Sequence, residues 1–130
     1  MTPRVLQPEE LKHYWRDIKP GLEKVLLKTP TASWIPEDVY SAIQNRKAIC
    51  VLGIEEEEVV GFFVGHPQPE NTFFAWAVWS KANLDEGVKH LLWYAKEVGC
   101  QKVIFQSDRK GWARVLRKYN ARPNTWVMEV

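Results

Sequence analysis

Apolar positions recur along this chain with two different periods, and the switches between them mark its elements. Val5-Leu-Gln7 reads as a short first strand, and Pro8-Glu-Glu10 as a helix start, with proline and acids suited to a first turn. Leu11, Tyr14, Trp15 and Ile18 follow at helical spacing. Pro20-Gly21 is expected to interrupt that helix before Leu22, Val25 and Leu26 resume the stripe. A second helix is predicted from Pro36-Glu-Asp38, burying Val39, Tyr40 and Ile43.

The middle of the chain has the character of strands. Residues 48–54 form a near-continuous apolar run, as expected for a strand covered on both faces. Glu55 to Glu58 predict a solvated hairpin tip rather than a metal site, and residues 59–64 return as the partner strand. His66-Pro-Gln-Pro69 is expected to break that strand, after which residues 72–79 make a third long one. Helical spacing then returns from about Leu84 to Val98, with Leu84, Val88, Leu91, Leu92 and Ala95 on one face and Trp93 roughly opposite. A strand at 102–106, a helix at about 108–119 and a last strand at 125–129 complete a single domain spanning residues 1–130.

Seven tryptophans are too many for a domain of this length to bury with ease, so some are expected to face a partner. Trp93, beside Lys89 and Lys96, and Trp34, ahead of the second helix, are the candidates, with packing under a neighbouring loop as the plainer alternative. The formal net charge is only +2, but acids gather between residues 34 and 70 and bases beyond residue 101. Lys110, Arg114, Arg117 and Lys118 lie off the apolar stripe of the closing helix. Arg114 and Arg117 are partner-binding candidates there, and a solvated helix face is favoured over nucleic-acid contact. Cys50 and Cys100 sit in or beside apolar runs and are expected to be buried, reduced thiols. His13, His66 and His90 share no metal-ligand spacing with each other or with the cysteines, so no metal site is predicted. The first twenty residues lack an apolar leader, and no apolar run reaches membrane-spanning length, so a cytoplasmic location is expected.

The order helical pair, three-strand meander, helix, strand, helix, strand resembles the GNAT acetyltransferase fold. The best local matches are "VVGFFV", "FFAWAVW" and "GWARVLRKYNARPN", the last similar to the family's "A..LYEK.GF.P" ending. The resemblance implies an α/β (α+β) domain with a central mixed, mostly antiparallel sheet and helices on both faces. "SWIPEDVYSAIQNRKA" followed by "GFFV" also resembles GNAT-like proteins encoded by tailed bacteriophages, which implies a phage setting: the host cytoplasm, and association with a capsid or virion.

In that family the fourth strand splays from the fifth and pairs with the pantetheine of acetyl-CoA. The diphosphate rests on a Q/R-x-x-G-x-G/A loop at the next helix start, where free N–H groups and the helix dipole favour an anion. Here Asn83, Glu86 and Val88 fall at the three pattern positions, and the lone Gly87 is one residue out of register. Asn83-Leu-Asp-Glu86 instead resembles a capping box, in which the protein's own side chains take the donors a diphosphate would use. The family's helix tyrosine aligns with Leu116. Tyr119 is about a turn further on, and the fourth strand contains no titratable base, leaving His66 and Glu70 at the preceding turn as the other catalytic candidates.

The resemblance therefore implies a GNAT-fold protein with a degenerate cofactor loop, serving as a protein-binding or structural component whose partners are phage structural proteins or further copies of itself. The alternative is an acyl-CoA-dependent N-acetyltransferase with an atypical loop. In it acetyl-CoA is held by the backbone around Val78 and Trp79, by Gly87, and by Lys81 and Lys89.

Overall fold

The computed structural model describes residues 1–30, 32–81, 84–106 and 125–130, with side chains described as far as Phe105 and again from Met128. Six strands form one sheet in the order β1 (Thr2–Val5), β2 (Ile49–Glu55), β3 (Glu58–Gln68), β4 (Thr72–Ser80), β5 (Lys102–Gln106) and β6 (Thr125–Glu129). Neighbours run antiparallel except β4 and β5, which are parallel. That mixed, mostly antiparallel sheet is the one expected.

Helices cover both faces, and the side-chain alternation of the strands explains why. Cys50, Leu52, Phe62, Val64 and Ala77 point into one cluster with Leu11, Ile18 and Leu22 of α1 (Leu11–Leu27) and Val39 and Ile43 of α2 (Pro36–Gln44). Val51, Phe63, Phe73, Ala75, Val103 and Met128 point into the other with Val88, Leu91 and Ala95 of α3 (Leu84–Glu97). Leu84 and Leu92 are half-buried at the margin of the second cluster, so the predicted α3 stripe faces the sheet.

Several boundaries differ from those expected. The first strand begins three residues earlier, at Thr2, and its pairing with β2 ends with the Leu6 amide donating to the Cys50 carbonyl at 2.9 Å. Pro8–Glu10 is a 3-10 turn rather than the first turn of α1. The Glu10 carboxylate accepts from the Gln7 amide at 3.1 Å and pairs with Arg4, which together hold it below its usual range.

Pro20-Gly21 does not interrupt α1. The helix runs unbroken because Leu11, Ile18 and Leu22, all fully buried, share one face on the sheet. Their burial offsets the roughly 3 kcal/mol that an interior proline costs. Gly21 lets the helix approach: a Cβ there would come within 2.6 Å of Phe62 and 3.0 Å of Trp79.

His66-Pro-Gln also stays in β3 rather than ending it. The β2–β3 register stops at Ile49↔Gly65, so beyond Gly65 the side of β3 that faced β2 has no β2 partner, and there a proline removes no ladder bond. At the other hairpin, Glu56 and Glu57 adopt φ of 50° and 66° at an exposed tip. Two left-handed residues match the twist of the strands, although Asn-Gly would adopt them at lower cost.

Candidate functional site

The site is built around a parting in the sheet. The β4–β5 register begins at Thr72↔Lys102 and ends at Phe74↔Ile104, whereas β5 stays paired with β6 as far as Gln106↔Thr125. β4 continues to Ser80 along β3, so from Ala75 onward it has no β5 partner among the described residues.

A bulge sits where the two strands part. Val64 faces Ala77 and Gly65 faces Ala75, leaving Trp76 as the extra residue. The bulge resets the alternation of β4: Phe73, Ala75 and Val78 point to α3, while Trp76, Ala77 and Trp79 point to α1 and α2. It also presents an extended backbone edge that a chain-like ligand could pair with, as an added strand does. Val78 and Trp79 both lie on this length, as the resemblance implied, but their side chains face opposite ways. Val78 is 6% exposed, while Trp79 is half-buried against Phe62 at 5.6 Å between ring centroids.

Where β4 ends, a hollow of about 370 Å³ is lined by Lys24, Val25, Leu27, Lys28, Trp79, Ser80, Lys81 and Leu84. Lys24 Nζ lies 5.7 Å from the Trp79 ring centroid, within reach of the ring's negative face. Lys81, a candidate phosphate contact only through the family resemblance, therefore stands with Lys24 of α1 and Lys28 just past its end. The i,i+4 spacing of Lys24 and Lys28 is visible in the sequence, but nothing local links it to Lys81.

The first turn of α3 is differently furnished. Asp85 pairs with Lys89 at 3.5 Å, and Glu86 lies 3.7 Å from the Met1 amine. Met1 is packed over Gly53, where a Cβ would meet its sulfur at 2.5 Å, and it lines a small crevice with Gly61, Trp79, Gly87 and His90. Burial lowers the His90 pKa, opposed by the nearby Glu86 charge. The expected partner of Glu86 in the capping box, Asn83, lies outside the described residues. Lys89 pairs with Asp85, whereas Lys81 lines the hollow. Two carboxylates in the first turn do not fit a diphosphate at this position.

Gly87 is not crowded. The nearest atom to a Cβ built there is Ser80 Cβ at 3.9 Å, and its φ is not left-handed. Gly87→Ala is therefore expected to stabilise the protein by about 0.5–1 kcal/mol through helix propensity, read as a rise of a few degrees in Tm. A drop in Tm would mean the glycine is required where the backbone and Ser80 meet.

The catalytic candidates are dispersed. His66 is half-buried opposite Phe74, with ring centroids 5.4 Å apart, and so stands near the bulge. Glu70 is exposed on the β3–β4 turn with φ of 67°. The turn is at the paired end of β4, and a nine-residue strand rising about 3.3 Å per residue separates it from Lys81 by roughly 25 Å or more. Tyr119 lies outside the described residues, as do the partner candidates Arg114 and Arg117. Both thiols are free and buried, and burial raises the pKa of each, which suits packing and not nucleophilic chemistry.

Among the tryptophans whose side chains are described, Trp93 is the exposed one, at 44%. Trp34 packs edge-on against Trp76 at 5.8 Å and Trp15 against Tyr40 at 4.9 Å. The tight supply of core surface was thus met by pairing aromatics on the α1–α2 face. No helix among the described residues is long and apolar enough to cross a membrane.

No family model matches the chain, and no curated protein sequence matches it. Solved structures do. A probable acetyltransferase superposes with a TM-score of 0.70 at 15% identity, covering 95% of this chain and 91% of that one. An aminoglycoside 6'-acetyltransferase type Ii gives 0.68 at 15% identity, covering 100% and 97%. A GNAT family acetyltransferase from Brucella melitensis, solved in complex with acetyl-CoA, gives 0.68 at 10% identity, covering 98% and 88%. The chain has the fold of the GNAT acetyltransferases over essentially its whole length.

Proposed function

We propose that this GNAT-fold protein does not transfer acetyl groups and acts as a protein-binding or structural component. The observation that carries the reading is the first turn of α3, where Asp85 and Glu86 face Lys89 and the Met1 amine. A diphosphate lodged there would meet two carboxylates already close to cations, and at ε of about 20 one like-charge contact at 4 Å costs about 4 kcal/mol before screening. The absence of any titratable side chain in Thr72–Ser80 supports the same reading. The partner-facing residue is Trp93, exposed between Lys89 and Lys96 on α3, and Arg114 and Arg117, outside the described residues, extend the proposal on their sequence spacing alone. Association with phage structural proteins or with further copies of the chain, in the host cytoplasm or the virion, is proposed from the resemblance of residues 33–48 and 61–64.

A second reading is favoured by the parting of β4 from β5. It is an acyl-CoA-dependent N-acetyltransferase in which the β4 backbone at Val78 and Trp79 holds pantetheine and Lys81 meets phosphate. Lys89 would first have to leave Asp85.

Turnover separates the two. Purified protein incubated with acetyl-CoA and a panel of amines and peptide N-termini is expected to release free thiol no faster than spontaneous hydrolysis. Release proportional to protein concentration and dependent on the amine would establish the transferase.

A further inference from the structure

We infer that the C-terminal end of α1 is a self-association surface, on which two copies of this chain pair about Leu27. Leu27 is 83% exposed and Ile35 55%, the two most exposed large apolar side chains among the described residues. The fold brings their segments together. Leu27 lines a wide, open hollow of about 500 Å³ with Leu26 and with Pro36, the residue after Ile35. Single apolar residues scattered over a surface are ordinary, whereas apolar residues gathered around one hollow mark a face that a partner covers.

Charge identifies the partner. Leu27 also lines the lysine-bearing hollow at the end of β4, so it forms the ridge between two hollows. Lys24, Lys28 and Lys81 line that one, with no carboxylate beside them, whereas Lys19, Glu23 and Glu37 line the other. Lys19 pairs with Glu37 at 3.7 Å, which leaves Glu23 as the charge this side presents. Among the described residues, Glu23 has no ion-pair partner, and neither has Lys24, Lys28 or Lys81. Leu84 brings the start of α3 against the lysine side, but the acids after it are engaged: Asp85 pairs with Lys89, and Glu86 faces the Met1 amine.

Helix geometry sets the two signs on opposite flanks of the ridge. At about 100° per residue, Lys24 lies about 60° to one side of Leu27 and Glu23 about 40° to the other. An apolar ridge with a positive and a negative flank is complementary to itself. A two-fold axis along the ridge lays Leu27 on its counterpart and turns the lysine flank of each copy toward Glu23 of the other. A wholly acidic partner would satisfy the lysines but face Glu23 with like charge, and a basic one would do the reverse. Because α1 and α3 pack on opposite faces of the sheet, this surface is separate from Trp93, and it serves whether or not the protein transfers acetyl groups.

Sedimentation velocity of the whole chain over about 1–200 µM tests the assignment. The mass is expected to rise from one chain to two and to stop there, since a two-fold contact closes on itself. Leu27→Asp should weaken association by at least about tenfold. Glu23→Lys and Lys24→Glu should each weaken it by about threefold or more, and combining them, which exchanges both signs, should bring Kd back to within about twofold of the parent. Lys47→Glu, the same charge change on the turn after α2, should leave Kd within about twofold. Thermal melts of each variant show whether a loss reflects unfolding. A chain that stays monomeric, an assembly that grows past two copies, or a dimer indifferent to Leu27→Asp would overturn the surface. So would a dimer abolished by Trp93→Ala, which would place the contact on α3. Failure of the exchanged pair to restore association would overturn the charge pairing. The readout is mass and not thiol release, so the outcome is separable from the turnover test.

Discussion

Phe73→Ala is expected to be the most damaging single truncation, costing about 3–5 kcal/mol of folding stability. Phe73 is fully buried and heads the largest side chains of the core. Its ring meets Phe63 edge-on at 6.2 Å and Tyr94 at 5.8 Å, joining β3, β4 and α3 in one contact group. Removing it loses transfer free energy, leaves a cavity, and takes both aromatic contacts away from residues that cannot follow the backbone inward. For a domain of this length the loss corresponds to a fall in Tm of roughly 10–20 °C. Phe73→Leu, which retains most of the volume, should lose clearly less. If the alanine variant melted within a few degrees of the parent, β4 would not be seated on α3 as described.

Gly65→Ala should rival it by the opposite mechanism. A Cβ at Gly65 would fall on the Phe74 carbonyl oxygen and lie 2.7 Å from Phe73 Cε1. The blocking atom is backbone, and it sits at the register shift that generates the β4 bulge, so no rotamer change can make room. Overpacking costs typically 1–3 kcal/mol, and an immovable obstacle puts this case at about 3 kcal/mol or above. Urea unfolding should show a lower midpoint with an unchanged slope. A change below about 1 kcal/mol would mean that β3 and β4 do not approach as closely as the bulge requires. Gly87→Ala, with open space around it and an expected gain, is the natural control: the same substitution, opposite sign.

These two residues also define how the parting of the sheet is supported. Gly65 permits the bulge, the bulge ends the β4–β5 register, and Phe73 anchors the last paired stretch. Damage at either should alter the β4 edge before it alters the lysine-lined hollow, whose walls come from the ends of α1 and β4 and the start of α3.

Much of the fold is legible from periodicity. The α3 stripe, the two-face burial of β2, and the positions of α2, β5 and β6 follow from side-chain alternation and helical spacing, which are local properties. The departures have local readings too, but readings that tertiary contact overrides. Pro20 predicts a break because an interior proline removes a hydrogen bond, yet Ile18 and Leu22 bury enough to keep α1 whole. Pro67 predicts a strand end, yet the loss of its β2 neighbour makes proline harmless there.

The site divides in the same way. That Asp85 and Glu86 occupy the start of α3, that β4 lacks a titratable side chain, and that Gly87 stands alone were set by residue order by itself. Only tertiary structure decided that Glu86 would face Met1, that Trp34 would spend its ring on Trp76, and that Lys24 and Lys28 would stand with Lys81. Helical and strand periods record which face of an element is apolar, because burial acts on each element in turn. They carry no record of which two polar faces come together, since solvated charges leave the same pattern whether they end beside one another or on opposite sides of the sheet.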